Sequence, residues 1–164
     1  MASEIKVDTI VNAGGDNDTG IDLATNDQIL LKVANATKLT MNSTGQTTIV
    51  GEGGSTTTNL QQGLAKCWNN LNGTGTIATR DSFNVSGITD VSTGQYTSTF
   101  TSNMNSVNYS GQISTEENGL TPSVGRDNDG TGIATGSCDV ETHIYNGSGY
   151  DTSHVFLSIH GDLA

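Results

Sequence analysis

Apolar residues recur two apart along most of this 164-residue chain, in short runs separated by Asn, Gly, Asp, Ser and Thr. Side chains two apart lie on one face of a strand, so the pattern predicts a succession of short β-strands with polar backs. Between 17 and 54 the runs are Ile21 and Leu23, then Ile29, Leu31 and Val33, then Leu39 and Met41, then Ile49 and Val50. Each is followed by turn chemistry: Asn26-Asp27, Asn35-Ala36, Asn42-Ser43-Thr44-Gly45, and Gly51-Glu52-Gly53-Gly54. Two or three apolar side chains per strand are too few for a lone meander, but enough if three copies point them at a common axis. A single-chain sheet lying on a second domain is the alternative. Ahead of these runs, Ile5, Val7 and Ile10-Val11 predict a short strand, ended by Asn12-Ala13-Gly14-Gly15-Asp16. Unpaired backbone at such a strand can add to another subunit's sheet edge.

Gly51 to Thr58 reads as a Gly/Ser/Thr connector and domain boundary. After it, Thr58 or Asn59 can cap a short helix in which Leu60, Leu64 and Trp68 are spaced by four, although Gly63 weakens it. Beyond, the pattern is all-β. Ile77 and Thr79 alternate with Ala78 and Arg80, and Phe83 and Val85 share a strand face. Asp90 to Gln95 turns the chain, and Tyr96, Ser98 and Phe100 return on the partner strand. Met104 to Asn108 is a loop, and Tyr109, Gly111 and Ile113 form the next strand. Residues 115–131 lack strand character and contain the only proline, Pro122. A final hairpin is predicted, with Cys138, Val140, Thr142 and Ile144 in one arm and Val155, Leu157 and Ile159 in the other, across Asn146-Gly147-Ser148-Gly149. Six or seven short strands with such turn spacing predict a β-sandwich or jelly-roll-like domain.

Composition sharpens this picture. Only 32% of residues are hydrophobic and 5% aromatic, so one chain has material for a thin core, and oligomerisation is the way to complete it. Six basic residues against 17 acidic ones give a charge of −11, which excludes duplex nucleic acid and anionic membrane as partners. The N-terminus lacks a signal-peptide pattern, and no run approaches the roughly 20 apolar residues that span a bilayer. Cys67 and Cys138, without neighbouring ligand patterns, read as reduced, buried small hydrophobes.

Candidate chemistry is sparse. The sequence contains no GxSxG elbow, P-loop, HExxH or CxxC. His143 and His154 fall opposite each other if the last hairpin forms, and three copies of such a histidine near an axis can hold a divalent ion. Exposed strand histidines are the plainer account. Asp16-Asn17-Asp18 and Asp127-Asn128-Asp129-Gly130 look calcium-like, but neither fits an EF-hand loop, and Asx turns explain both. Trp68 invites comparison with sugar-stacking residues, yet its strongly patterned segment points to the core, while Tyr145 and Tyr150 flank an exposed turn.

The wording of residues 60–101, LQQGLAKCWNNLNGTGTIATRDSFNVSGITDVSTGQYTSTFT, resembles a module of tail-fibre and other virion fibre proteins of tailed, especially marine, bacteriophages. The pattern there is an AKAWVNFNGTGT-type strand, an R-SFNVSSITD-type strand, a Gly-containing turn and a YTVNFT-type strand. ASEIKVDTI and TGIDLATNDQILLKVANATKLTMNSTGQ resemble fibre N-termini and shaft repeats. The resemblance implies that Trp68 belongs to a strand, so the helix should end near Lys66 and the strand begin at Cys67. It further implies a homotrimer, made in a host cytoplasm and carried on the virion. In that layout 1–16 would dock on other virion proteins, 17–54 would form a β-prism-like shaft, 55–66 would connect, and 67–164 would form a head. The expected work is structural and adhesive, with no enzymatic activity and no cofactor. A host glycan or outer-membrane component is the expected receptor, contacted through the 115–131 loop and the 146–151 turn: Arg126, Asp127, Asn128, Tyr145, Asn146 and Tyr150. The alternatives are a capsid decoration or head-vertex fibre, a polysaccharide-depolymerising tailspike, and a lectin-like module outside any virus.

Overall fold

The computed structural model describes residues 6–12, 14, 18–25, 27–51, 53–125 and 132–163. Among them the fold is nearly all β, with antiparallel pairing throughout and a single helical turn. The chain divides into two compact units, Met1–Gly63 and Leu64–Ala164.

In the first unit six strands pair in chain order: β1 (Thr9–Val11), β2 (Gly20–Asp22), β3 (Gln28–Val33), β4 (Ala36–Asn42), β5 (Thr47–Val50) and β6 (Thr57–Asn59). The turn after β3 has two residues, Ala34 and Asn35, both at positive φ (52° and 58°), which matches the twist of the flanking strands. After β4, Asn42 Oδ1 accepts the backbone N–H groups of Thr44 (3.2 Å) and Gln46 (2.9 Å), an Asx-stabilised turn. Asn59 caps the helical turn α1 (Leu60–Gly63), its Oδ1 accepting the Gln62 N–H at 3.2 Å. The turn ends at Gly63, short of the expected Lys66, where glycine's conformational freedom disfavours further helix.

Register gives this sheet two unlike faces. Ile10, Ile21, Leu31, Leu39 and Ile49 stand directly opposite one another in a row across five strands, continued by Thr58 on β6. Ile29 and Met41 make a second row. The reverse face carries Thr9, Asp22, Leu30, Thr40, Thr48 and Asn59, with Lys32 Nζ 2.7 Å from Asp22 Oδ2. None of the described residues in 6–63 is buried.

The second unit is a sandwich of two four-stranded antiparallel sheets. One has the order β11 (Ser110–Thr115), β14 (Val155–His160), β7 (Ala65–Asn72) and β8 (Ala78–Phe83). The other has the order β12 (Leu120–Val124), β13 (Ser137–Ile144), β10 (Gln95–Phe100) and β9 (Val85–Ser92). Alternate residues of the four inner strands form one core: Cys67, Leu71, Tyr96, Phe100, Cys138, Val140, Val155, Leu157 and Ile159, joined by Met104.

Several expectations are corrected here. Phe83 and Val85 do not share a strand: the chain breaks between them at Asn84, which sits at φ +59° and passes the chain from one sheet to the other within one residue. Its side chain makes that corner: Nδ2 donates to the Lys66 and Ser102 carbonyls (both 3.0 Å), and Oδ1 accepts the Ser102 N–H at 2.7 Å. Asparagine is among the few residues that tolerate such a backbone. The 115–131 segment is not wholly loop, because β12 runs through it as a sheet edge. Pro122 lies opposite Thr142 there, and an edge tolerates the missing N–H. The predicted terminal hairpin does not form, since β13 and β14 belong to different sheets. Trp68 is not in the core: on β7 the residues facing inward are Cys67, Asn69 and Leu71, and Trp68 faces outward.

Tyr96 anchors one end of the sandwich. Its buried hydroxyl reaches Asp151 Oδ1 (2.9 Å) and the Gly73 carbonyl (3.2 Å), and the Gly94 N–H donates to the same Asp151 oxygen at 2.6 Å. A methyl group on Gly73 would run into the Tyr96 ring hydroxyl, whereas one on Gly87 of β9 would meet open space. Gly73→Ala is therefore expected to destabilise the sandwich by about 1–3 kcal/mol through overpacking, and Gly87→Ala to change it little. Urea denaturation of the two variants checks this, and equal midpoints would contradict it.

Candidate interaction surface

The tyrosine turn is built by backbone and Asx hydrogen bonds. The Ile144 N–H donates to the Ser148 carbonyl (3.0 Å), the Gly147 N–H to the Ile144 carbonyl (2.8 Å), and the Ser148 N–H to Asn146 Oδ1 (3.0 Å). Gly147 takes φ +83° at the tip. This pushes Tyr145 into solvent, 91% exposed, while Tyr150 is fixed by its N–H to the Thr142 carbonyl at 2.9 Å. The Glu117 carboxylate, by its charge and a hydrogen bond, raises the Tyr150 hydroxyl above the ordinary tyrosine value. The structure thus brings the start of the 115–131 segment against the 146–151 turn. Arg126, Asp127 and Asn128 lie outside the described residues, as do Asp16 and Asn17.

His143 and His154 do not come together. His143 is on β13, opposite Thr121, with its Nε2 3.4 Å from Glu141 Oε2. His154 precedes β14 in the other sheet, with its Nδ1 2.7 Å from Glu116 Oε2. Among the described residues no group of three His, Cys, Asp or Glu could hold a metal ion, and no helix is long and apolar enough to cross a membrane.

Trp68 is where sequence reasoning missed a surface feature. It stands 37% exposed directly opposite Phe83, which is 50% exposed, and Phe156 on the next strand is 39% exposed. Strand parity was the available signal. Cys67 and Leu71 share one face, so Trp68, one position off, must share the other with Asn70 and Asn72.

Compared with protein-family models, curated proteins and solved structures, the chain has no significant match.

Cys67 and Cys138 are free thiols buried on facing sheets. Burial pushes Cys67 up to about 12, with a smaller contribution from Cys138, and pushes Cys138 up to about 11. Below the ordinary thiol value of 9.0 both states of the chain keep these protons, so the thiols give stability no pH dependence there. Above it the unfolded chain releases protons that the folded chain retains, and stability must fall with rising pH. Urea midpoints are expected to hold level from about pH 7 to 9 and then decline, at up to about 1.4 kcal/mol per pH unit per thiol. The combined Cys67→Ala and Cys138→Ala variant should decline less between pH 9 and 10. A midpoint that rises over that interval would contradict the assignment.

Proposed function

We propose that this chain is a non-catalytic structural subunit of a bacteriophage virion, a homotrimeric tail-fibre protein that presents its sandwich unit as an adhesive head. The wording of residues 60–101 supports the viral assignment. The observation that carries the oligomer is the apolar row Ile10, Ile21, Leu31, Leu39 and Ile49, which leaves every one of these side chains outside any core.

A one-sided sheet must bury its apolar face against something. Full burial of five such side chains offers on the order of 10 kcal/mol per copy, before the cost of association. Three sheets arranged about an axis let each copy cover its neighbours with the same row, the closed symmetry that homo-oligomers favour. The reverse face is the more polar one, mixing the Asp22–Lys32 pair and threonines with Val11 and Leu30. In this reading the segment before β2 meets other virion proteins, since β1 lies at an edge of its sheet. The Tyr145–Tyr150 turn and the Glu116–Gly119 turn face the host glycan or outer-membrane component.

Light scattering at micromolar concentration is expected to give three times 17.0 kDa. Leu31→Asp and Ile49→Asp should each shift the species toward a single copy, while Thr40→Asp on the reverse face should not. A wild-type molecule that remains at 17.0 kDa would remove the trimer, and labelled antibody that fails to decorate particle fibres would remove the viral role.

A further inference from the structure

The outward face of the β11–β14–β7–β8 sheet is built unlike the outward face of its partner. On the partner sheet, Thr97 hydrogen-bonds Asp139 (2.6 Å) and Gln95 hydrogen-bonds Glu141 (2.9 Å), and its strands present no outward Trp, Tyr or Phe. On the β11–β14–β7–β8 face three rings sit on three neighbouring strands. Trp68 on β7 lies directly opposite Phe83 on β8, and Phe156 on β14 lies one step along, opposite Asn70. At the usual strand spacing the three strands span roughly 10 Å, and diagonal neighbours are within reach of aromatic side chains.

Phe156 is held in place by its neighbours. His154 stacks on Phe156, with centroids 5.8 Å apart and planes at 25°, and Glu116 fixes His154 at 2.7 Å. Polar side chains are interleaved with the rings. Ser158 stands opposite Trp68 and Asn70 opposite Phe156, and a shallow depression beside Phe156 is edged by Gln112, Ser114 and Ser158.

This alternation selects the occupant. A second copy laid on the rings would set two chains of −11 against each other, each with Asp81 on the same face as Trp68. A polyanion would meet the Asp81 carboxylate on this face of a chain carrying −11, and Arg80 at its end is turned onto Asn72 Oδ1 (3.2 Å) and the Ser153 carbonyl (3.0 Å). A sugar ring without charge fits both features. Its polarised C–H groups meet the negative face of an aromatic ring, and its hydroxyls meet amides and hydroxyls at the rim.

We propose that Trp68, Phe83 and Phe156 form a stacking platform for an uncharged saccharide of two or more sugar rings. The proposal goes beyond the host-facing turns of the adhesive reading above by adding a second contact surface, and it rests on that reading for the choice of a carbohydrate partner. It is tested on purified protein, whereas the fibre reading is tested by mass and particle labelling, so either can fail alone.

Trp68 is the only tryptophan in the chain, so its emission reports on the platform directly. The full chain is titrated with hexasaccharides of glucose, mannose, galactose and N-acetylglucosamine, and with polygalacturonate, by fluorescence and calorimetry. At least one neutral hexasaccharide is expected to shift Trp68 emission saturably to shorter wavelength. By calorimetry, Trp68→Ala and Phe156→Ala should each weaken binding about tenfold or more, Trp68→Phe should retain most of it, and Thr99→Ala on the outer face of the partner sheet should leave it unchanged. The proposal is overturned if no neutral hexasaccharide binds, if only polygalacturonate binds, or if binding survives both ring removals. It is equally overturned if the emission shift follows protein concentration in sugar-free buffer, which would identify a second copy on this face.

Discussion

Apolar surface is scarce in this chain, and where it is placed governs both units. In the sandwich, the inward positions of β7, β10, β13 and β14 hold Cys67, Leu71, Tyr96, Phe100, Cys138, Val140, Val155, Leu157 and Ile159, so two thin sheets close over a single core. In the first unit the same alternation is obeyed, but none of the described residues in 6–63 is buried. The hydrophobic effect acts alike on both surfaces. One is satisfied within the chain, and the other is left partly open to solvent.

A thin core leaves alignment of the two sheets to hydrogen bonds, and these gather at the two ends of β7. At its C-terminal end, Gly73 meets Tyr96 and Thr152, and Asp151 collects the Tyr96 hydroxyl and the Gly94 N–H. At its N-terminal end, the Lys66 carbonyl accepts Asn84 Nδ2, and Asn84 in turn holds Ser102. Each knot ties residues of one sheet to a turn of the other. Between them the core tolerates Asn69 Oδ1 and Ser98 Oγ without hydrogen-bond partners, a cost of about 1–3 kcal/mol for such a group that well-made ends can offset.

Much of this was legible in the sequence, because strand alternation survives in a chain with few apolar residues. The runs at Ile21, Ile29, Leu39 and Ile49, the Asn59 cap and the Gly94 hairpin turn all lie where spacing and turn chemistry put them. What spacing cannot supply is which sheet a strand joins. β13 and β14 have the alternation of a hairpin and a turn-rich connection, yet the chain between them crosses the sandwich at Tyr150–Asp151. Asn84 was equally opaque, since a single residue in a left-handed conformation looks like one more polar position in a strand. The tyrosine turn was legible as an exposed Asx turn, whereas the pairing of Glu117 with Tyr150 depends on a contact between two connections distant in the chain.

Trp68 shows how the two kinds of information combine. Aromatic residues are so often the largest core anchors that residue type argues for burial, while strand parity with Cys67 and Leu71 argues for the outer face. Parity wins because a one-residue slip would carry Cys67, Asn69 and Leu71 out of the core to bring one tryptophan in. With that settled, the outward position of Trp68, Phe83 and Phe156 is no packing accident of one strand. Three strands independently place a ring on the same face, while the facing sheet gives its outer positions to Thr, Gln, Asp and Glu. The two outer faces of the sandwich therefore differ in aromatic content, and the proposed platform draws on that asymmetry.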